Sequence, residues 1–197
     1  MARLIANGQD LRGPMLLAGA AGTSGQILTS AGAGATPTWS TPSSGFAPII
    51  ATMTSTQQST STALADVTQL AAALVANGVY RVECFVTFQS AATTTGLNLG
   101  FTSPAGCRPM VEVVVPITST AVASQLRTTF PNAAATTSGN VLGTGVTAIN
   151  SNHTARISGL IANGSTAGNF QIQFATEVNA SAVTLQIGSK LIVQQLA

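Results

Sequence analysis

The sequence predicts an all-β chain, a jelly-roll or β-sandwich domain preceded by an extended Gly/Ala-rich N-terminal arm. Three observations predict it. Apolar and polar residues alternate with a period of two in several segments beyond residue 78, the pattern of half-buried strands. Turn signals separate these segments, among them "ATTTG", "TSPAG", "TTSGN" and "ANGSTAGN", with no clear helix between them. Residues 1–45, in contrast, have no sustained periodicity and are rich in Gly, Ala, Ser and Thr. Many short strands with regular turns and no intervening helices are the signature of a sandwich or jelly roll.

Taken in order, residues 1–45 form the arm, 46–62 a Thr/Ser-rich linker and 63–197 the β domain. The arm alone could not bury enough apolar surface to offset its chain entropy, so neighbouring chains must order it. Its candidate anchors are Leu4, Ile5, Leu11, Leu16, Leu17 and the only tryptophan, Trp39. The segment "ALADVTQLAAALVANG" spaces Leu64, Val67, Leu70 and Leu74 as a helix would, yet could be extended; Asn77-Gly78 suits a helix stop or a hairpin turn equally.

The strands follow. "VYRVECFVTFQ" places Tyr80, Val82, Cys84, Val86 and Phe88 on one face and Arg81, Glu83, Thr87 and Gln89 on the other. The inward set continues with Leu97, Leu99 and Phe101, then Val111, Val113 and Val115, then Ile157 and Ile161. Phe170, Ile172 and Phe174 come next, then Val183, Leu185 and Ile187, and "KLIVQQL" is the last strand. Pro116 marks an edge or a bulge, because proline cannot donate to a ladder.

Composition restricts function. Only 6% of residues are charged, with seven bases against five acids, where an average soluble protein has about 25%. No Asp, Glu, Lys or Arg occurs from Gly13 to Ala65 or from Thr128 to Ala155. A basic footprint for nucleic acid is therefore absent. No apolar run is long enough to span a membrane, and the N-terminus reads poorly as a signal peptide. The charge deficit fits either a neutral, Thr-coated β protein or a subunit whose surface is covered by copies of itself or by a larger assembly; the second is favoured.

Chemistry is sparse. There is one histidine, His153, and no G-x-S-x-G elbow. Glu83 and Glu112 could in principle act as a carboxylate pair on glycans, but strand carboxylates of this spacing are ordinarily solvated or interfacial. Cys84 and Cys107 have no metal spacing, and Cys84 reads as a buried thiol. No phosphate loop and no calcium loop is present. The expectation is a protein that is not an enzyme and takes no cofactor or metal.

Two stretches carry a resemblance. "GAAGTSGQILTSAGAGATPTW" resembles a segment recurrent in tailed-bacteriophage tail fibres and related appendages, matched at Gly22, Thr23, Ser24, Gly25, Gln26, Ile27, Leu28, Thr29, Ser30, Gly32, Gly34, Pro37 and Trp39. The second covers both ends of residues 63–197. It matches a β-rich domain of phage particle proteins at Ala76-Asn77, Tyr80-Arg81, Ser90–Gly96, Gly100, Pro104, Arg156-Ile157, Gly159, Phe174-Ala175, Glu177-Val178, Ala182-Val183-Thr184 and Gly188-Ser189. The resemblance implies a tumour-necrosis-factor-like jelly roll that forms a homotrimer, and an extended "ALADVTQL". It implies a virion structural protein made in the bacterial host cytoplasm and placed on the particle surface. A capsid decoration (cement) protein or short head fibre bound to the major capsid protein is the first expectation. A tail-fibre or tail-tip subunit is the second, and a carbohydrate-binding jelly roll for a host surface glycan is the third. Residues 118–154 match nothing in this family.

Overall fold

The structure, a computed structural model, describes residues 16–17, 20–41, 47–117, 124–130 and 138–196. The chain divides into two compact units, residues 1–45 and 46–197.

In the first unit, β1 (Leu16–Leu17) pairs with β2 (Ala20–Ala21), and β3 (Ile27–Thr29) pairs with β4 (Thr38–Ser40). The turn before β3 is closed by the Gln26 amide donating to the Thr23 carbonyl at 3.1 Å. Gly25 there has φ 88°, a conformation that glycine adopts without the Cβ penalty. The Thr29 hydroxyl ties the hairpin together by donating to the Thr38 carbonyl at 2.9 Å. Leu4, Ile5 and Leu11 lie outside the described residues, and only the backbone of Leu16 and Leu17 is described.

The second unit contains β5 (Ile49–Thr52), β6 (Gln57–Ser59), β7 (Ala65–Leu74), β8 (Val79–Ser90), β9 (Leu97–Thr102) and β10 (Arg108–Ile117). It continues with β11 (Ser124–Phe130), β12 (Ser138–Leu142), β13 (His153–Ala162), β14 (Gly168–Thr176), β15 (Val183–Leu185) and β16 (Lys190–Gln195). These strands form a sandwich. One sheet runs β12-β9-β14-β7. The other runs β11-β10-β13-β8, after which the two halves of β8 take separate neighbours. Residues 80–85 pair with β16 and residues 88–90 with β15, and β5 and β6 form the outer edge beyond them. From β7 onward the chain crosses between sheets at every step except β10–β11 and β15–β16, which is jelly-roll connectivity.

The inward faces meet in one core. Tyr80, Val82, Val86, Phe88, Leu97, Leu99, Phe101, Val113, Val115, Ile157, Phe170, Ile172, Phe174, Val183 and Leu185 are all buried in it. Phe101 and Phe170 stack at 5.2 Å. Ile187 is the exception, at 62% exposed. The alternation that runs through Val183 and Leu185 ends where β15 ends, and a turn through Gly188 (φ 88°) carries the side chain outward.

Two sequence expectations are revised here, the linker and the Asn77-Gly78 turn, and the extended reading of "ALADVTQL" is borne out. The expected linker, 46–62, contains β5 and β6, both paired to C-terminal strands. Edge strands of three or four residues carry little periodic signal, and β6 is polar throughout. The Gln57 side chain also reaches the other sheet: its amide donates to the Asp66 carbonyl at 2.8 Å and accepts from the Thr68 N–H at 3.1 Å.

The segment with helical spacing is strand β7, and a bulge explains its pattern. Gln171 pairs with Ala71 but Gln173 pairs with Asp66, so three extra residues are looped into β7. The insertion turns both Val67 and Leu70 inward. The Gln171 amide fills the gap, donating to the Val67 carbonyl at 2.7 Å and the Leu70 carbonyl at 3.2 Å. Asn77-Gly78 is neither a helix stop nor a hairpin turn, because β7 and β8 lie in different sheets. It forms a corner, with Asn77 at φ 60° and the Tyr80 hydroxyl accepting from the Val75 N–H at 2.7 Å.

Candidate functional site

The two outer faces of the sandwich differ in chemistry. On the four-stranded sheet the outer positions include Ala71, Ala73, Asn98, Asn140, Gln171 and Gln173, with Asp66 at one margin. On the other sheet they hold Arg81, Glu83, Arg108, Glu112, Arg156 and Lys190. The scarce charge of this domain is therefore concentrated on one face. The same face exposes large apolar side chains: Ile50 (58%), Phe85 (53%), Leu160 (42%) and Met110 (37%).

Strand register arranges these residues in rows that cross the strands. One row reads Ile50, Ile192, Glu83, Ser158, Glu112. The next reads Thr52, Lys190, Phe85, Arg156, Val114. A third, on the other side of the acidic row, reads Gln194, Arg81, Leu160, Met110. Successive rows are about 7 Å apart, two residues along a strand. Arg81 is ion-paired with Glu83, and Arg156 with Glu112 at 3.6 Å. A cleft of about 300 Å³ opens beside Phe85, bounded by Val114 and Arg156 over Thr87 and Thr154. The sequence does contain a signal for this surface: Phe85 is a large aromatic at a polar-parity position of β8.

The other groups singled out from the sequence are scattered. Glu83 and Glu112 share a row but are two strands apart, and each is committed to an arginine. His153 contacts the Ala148 carbonyl at 2.8 Å and packs near Phe88, with ring centres 5.6 Å apart. Among the described residues, no three of His, Cys, Asp or Glu gather to hold a metal.

Cys84 and Cys107 are buried and unpaired. Burial pushes the Cys84 thiol up to about 12 from an ordinary 9.0, which leaves it protonated and inert. Burial also raises Cys107, partly offset by hydrogen bonds from Ser103 and the Arg108 backbone. Because the folded form holds the Cys84 proton more tightly, its contribution to stability is complete below pH 9 and is lost as pH rises toward 12. Urea midpoints measured across that range should therefore fall more steeply for the wild type than for Cys84→Ala.

In the first unit, Trp39 packs on the glycine-rich turn. A Cβ on Gly22 would lie 2.7 Å from the indole Cδ2. The ring borders a cleft lined by residues 21–26, and the indole N–H is buried without a partner among the described residues. Gly22→Ala should push the ring out of this seat. Trp39 is the only tryptophan, so emission should shift to the red with the sandwich's unfolding midpoint unchanged.

No protein-family model matches the chain, and no curated protein does. Similar solved structures include the infectious bursal disease virus VP2 subviral particle, at 12% identity and TM-score 0.25 over 87% of this chain and 47% of that one. The same virus's Gx strain matches at 10% and 0.22 over 75% and 35%. Its Gt strain matches at 11% and 0.22 over 87% and 43%. The chain thus spans less than half the length of each. No family assignment follows from these values.

Proposed function

We propose that this protein is a non-enzymatic structural subunit of a tailed-phage virion, a trimeric decoration protein or short head fibre on the particle surface. Residues 1–45 attach it to the major capsid protein, and the sandwich projects outward. One observation carries the reading: the segment that resembles phage appendage proteins belongs to a compact unit of its own, apart from the sandwich. Its strands are only two or three residues long and pair two by two. Two-stranded pieces of this size are marginal alone, so they suit a segment that is completed by a partner surface.

The recurrence of that segment in tail fibres favours a tail location as the second reading. Copy number in purified virions of the encoding phage separates the two. Stoichiometry that tracks the shell protein supports decoration. A few copies per particle place the protein in the tail, and absence from virions removes both readings.

A further inference from the structure

We infer that the outer face of the eight-stranded sheet, centred on Phe85, is the surface through which copies of this chain associate. The inference rests on the reading of the protein as a self-associating subunit and names the face that reading leaves open. Three observations support it. The first is segregation: most of the charged and large exposed apolar side chains of the strands share this face, while the opposite face carries chiefly amides, alanine and threonine, with Asp66 and Leu142 beside them. Exposed apolar clusters rimmed by charge mark interaction surfaces.

The second observation is the order of the charges. Glu83 and Glu112 lie in one row, with Arg81 in the row on one side and Lys190 and Arg156 in the row on the other; within the chain Glu83 pairs with Arg81 and Glu112 with Arg156. A surface whose rows alternate base, acid and base is complementary to itself: a second copy displaced by one row brings acid against base. Interfaces between identical subunits related by a two-fold axis require this property. Lys190 has no ion pair among the described residues, so its partner can come from the second copy.

The third observation is shape. Phe85 stands out of the face beside a cleft of about 300 Å³, so the surface offers both a projecting aromatic and a recess beside it. None of these groups is needed for the core, which lies on the other side of the sheet.

Light scattering on the full chain tests the inference. The wild type should be a multiple of 19.7 kDa. Phe85→Asp combined with Leu160→Asp should give a single chain at micromolar concentration, with an unchanged circular dichroism spectrum. Lys190→Glu and Glu83→Lys should each weaken association at least tenfold, and the double exchange should recover most of it. A wild-type monomer overturns the inference, as does an Asp variant that keeps the wild-type mass. If those variants lose virion attachment while the wild type is a single chain, the face belongs to another protein and the inference again fails. A mass other than three chains that falls to one in the Asp variant upholds the face and removes the trimer. A trimer unaffected by it does the reverse.

Discussion

Gly159→Ala is expected to lower the melting temperature of the sandwich by about 10 °C, the equivalent of about 3 kcal/mol in a domain of this size. Gly159 lies in β13, paired on one side with Val111 and on the other with Val82. Its φ of 151° is a conformation that L side chains rarely adopt. A Cβ there would lie 2.7 Å from the Val111 Cα and would also press on the Met110 carbonyl. Both obstacles are backbone, so no rotamer change relieves them. Either the strand gives up its strained φ or β10 moves, and β10 carries core residues Val111, Val113 and Val115. A thermal melt followed by far-UV circular dichroism reads the result; a shift under about 3 °C, roughly 1 kcal/mol, would show that the pair of strands absorbs the methyl group.

Deleting residues 1–45 is expected to abolish attachment to virions while leaving a folded, soluble sandwich. Among the described residues, the hydrophobic core of the sandwich runs from Met53 to Val193. The deletion should therefore leave the unfolding midpoint of the sandwich within about 1 kcal/mol of the wild type, the ordinary margin for changes outside a core. Attachment is different. Weak contacts from each arm add up through effective concentration when copies are joined, so a particle-bound subunit depends steeply on every arm. Co-sedimentation with virions stripped of the protein measures the loss. A truncated protein that still decorates at full occupancy overturns the anchoring role of residues 1–45.

Much of the sandwich was legible in the sequence, because a strand with one buried face writes its burial in alternation. Tyr80 through Phe88 and Phe170 through Phe174 are read correctly on parity alone. The failures have local causes. Ile187 continues an alternation past the end of its strand. On spacing alone Val67 and Leu70 left helix and strand equally open, because a three-residue bulge brings both inward and the residue that stabilises the bulge, Gln171, sits a hundred positions away; only the resemblance pointed to the strand that forms. β5 and β6 were hidden by their shortness, and β6 also by its polarity. The outer face was half legible: Phe85 breaks parity visibly, but the acidic and basic rows depend on cross-strand register, which no single segment contains.

The amide-covered outer face of the four-stranded sheet has a consequence for how the protein behaves in solution. Asn140 and Gln173, which reach solvent there, neither titrate nor carry net charge; Asn98 is buried beneath Asn140, and the Gln171 amide is taken up by β7. Water is held there by hydrogen bonds whose strength does not depend on counter-ions. Colloidal stability that relies on such a face is steric and hydrational, not coulombic. A particle presenting it outward would keep its dispersion through large swings of salt and acidity, conditions that precipitate particles stabilised by surface charge.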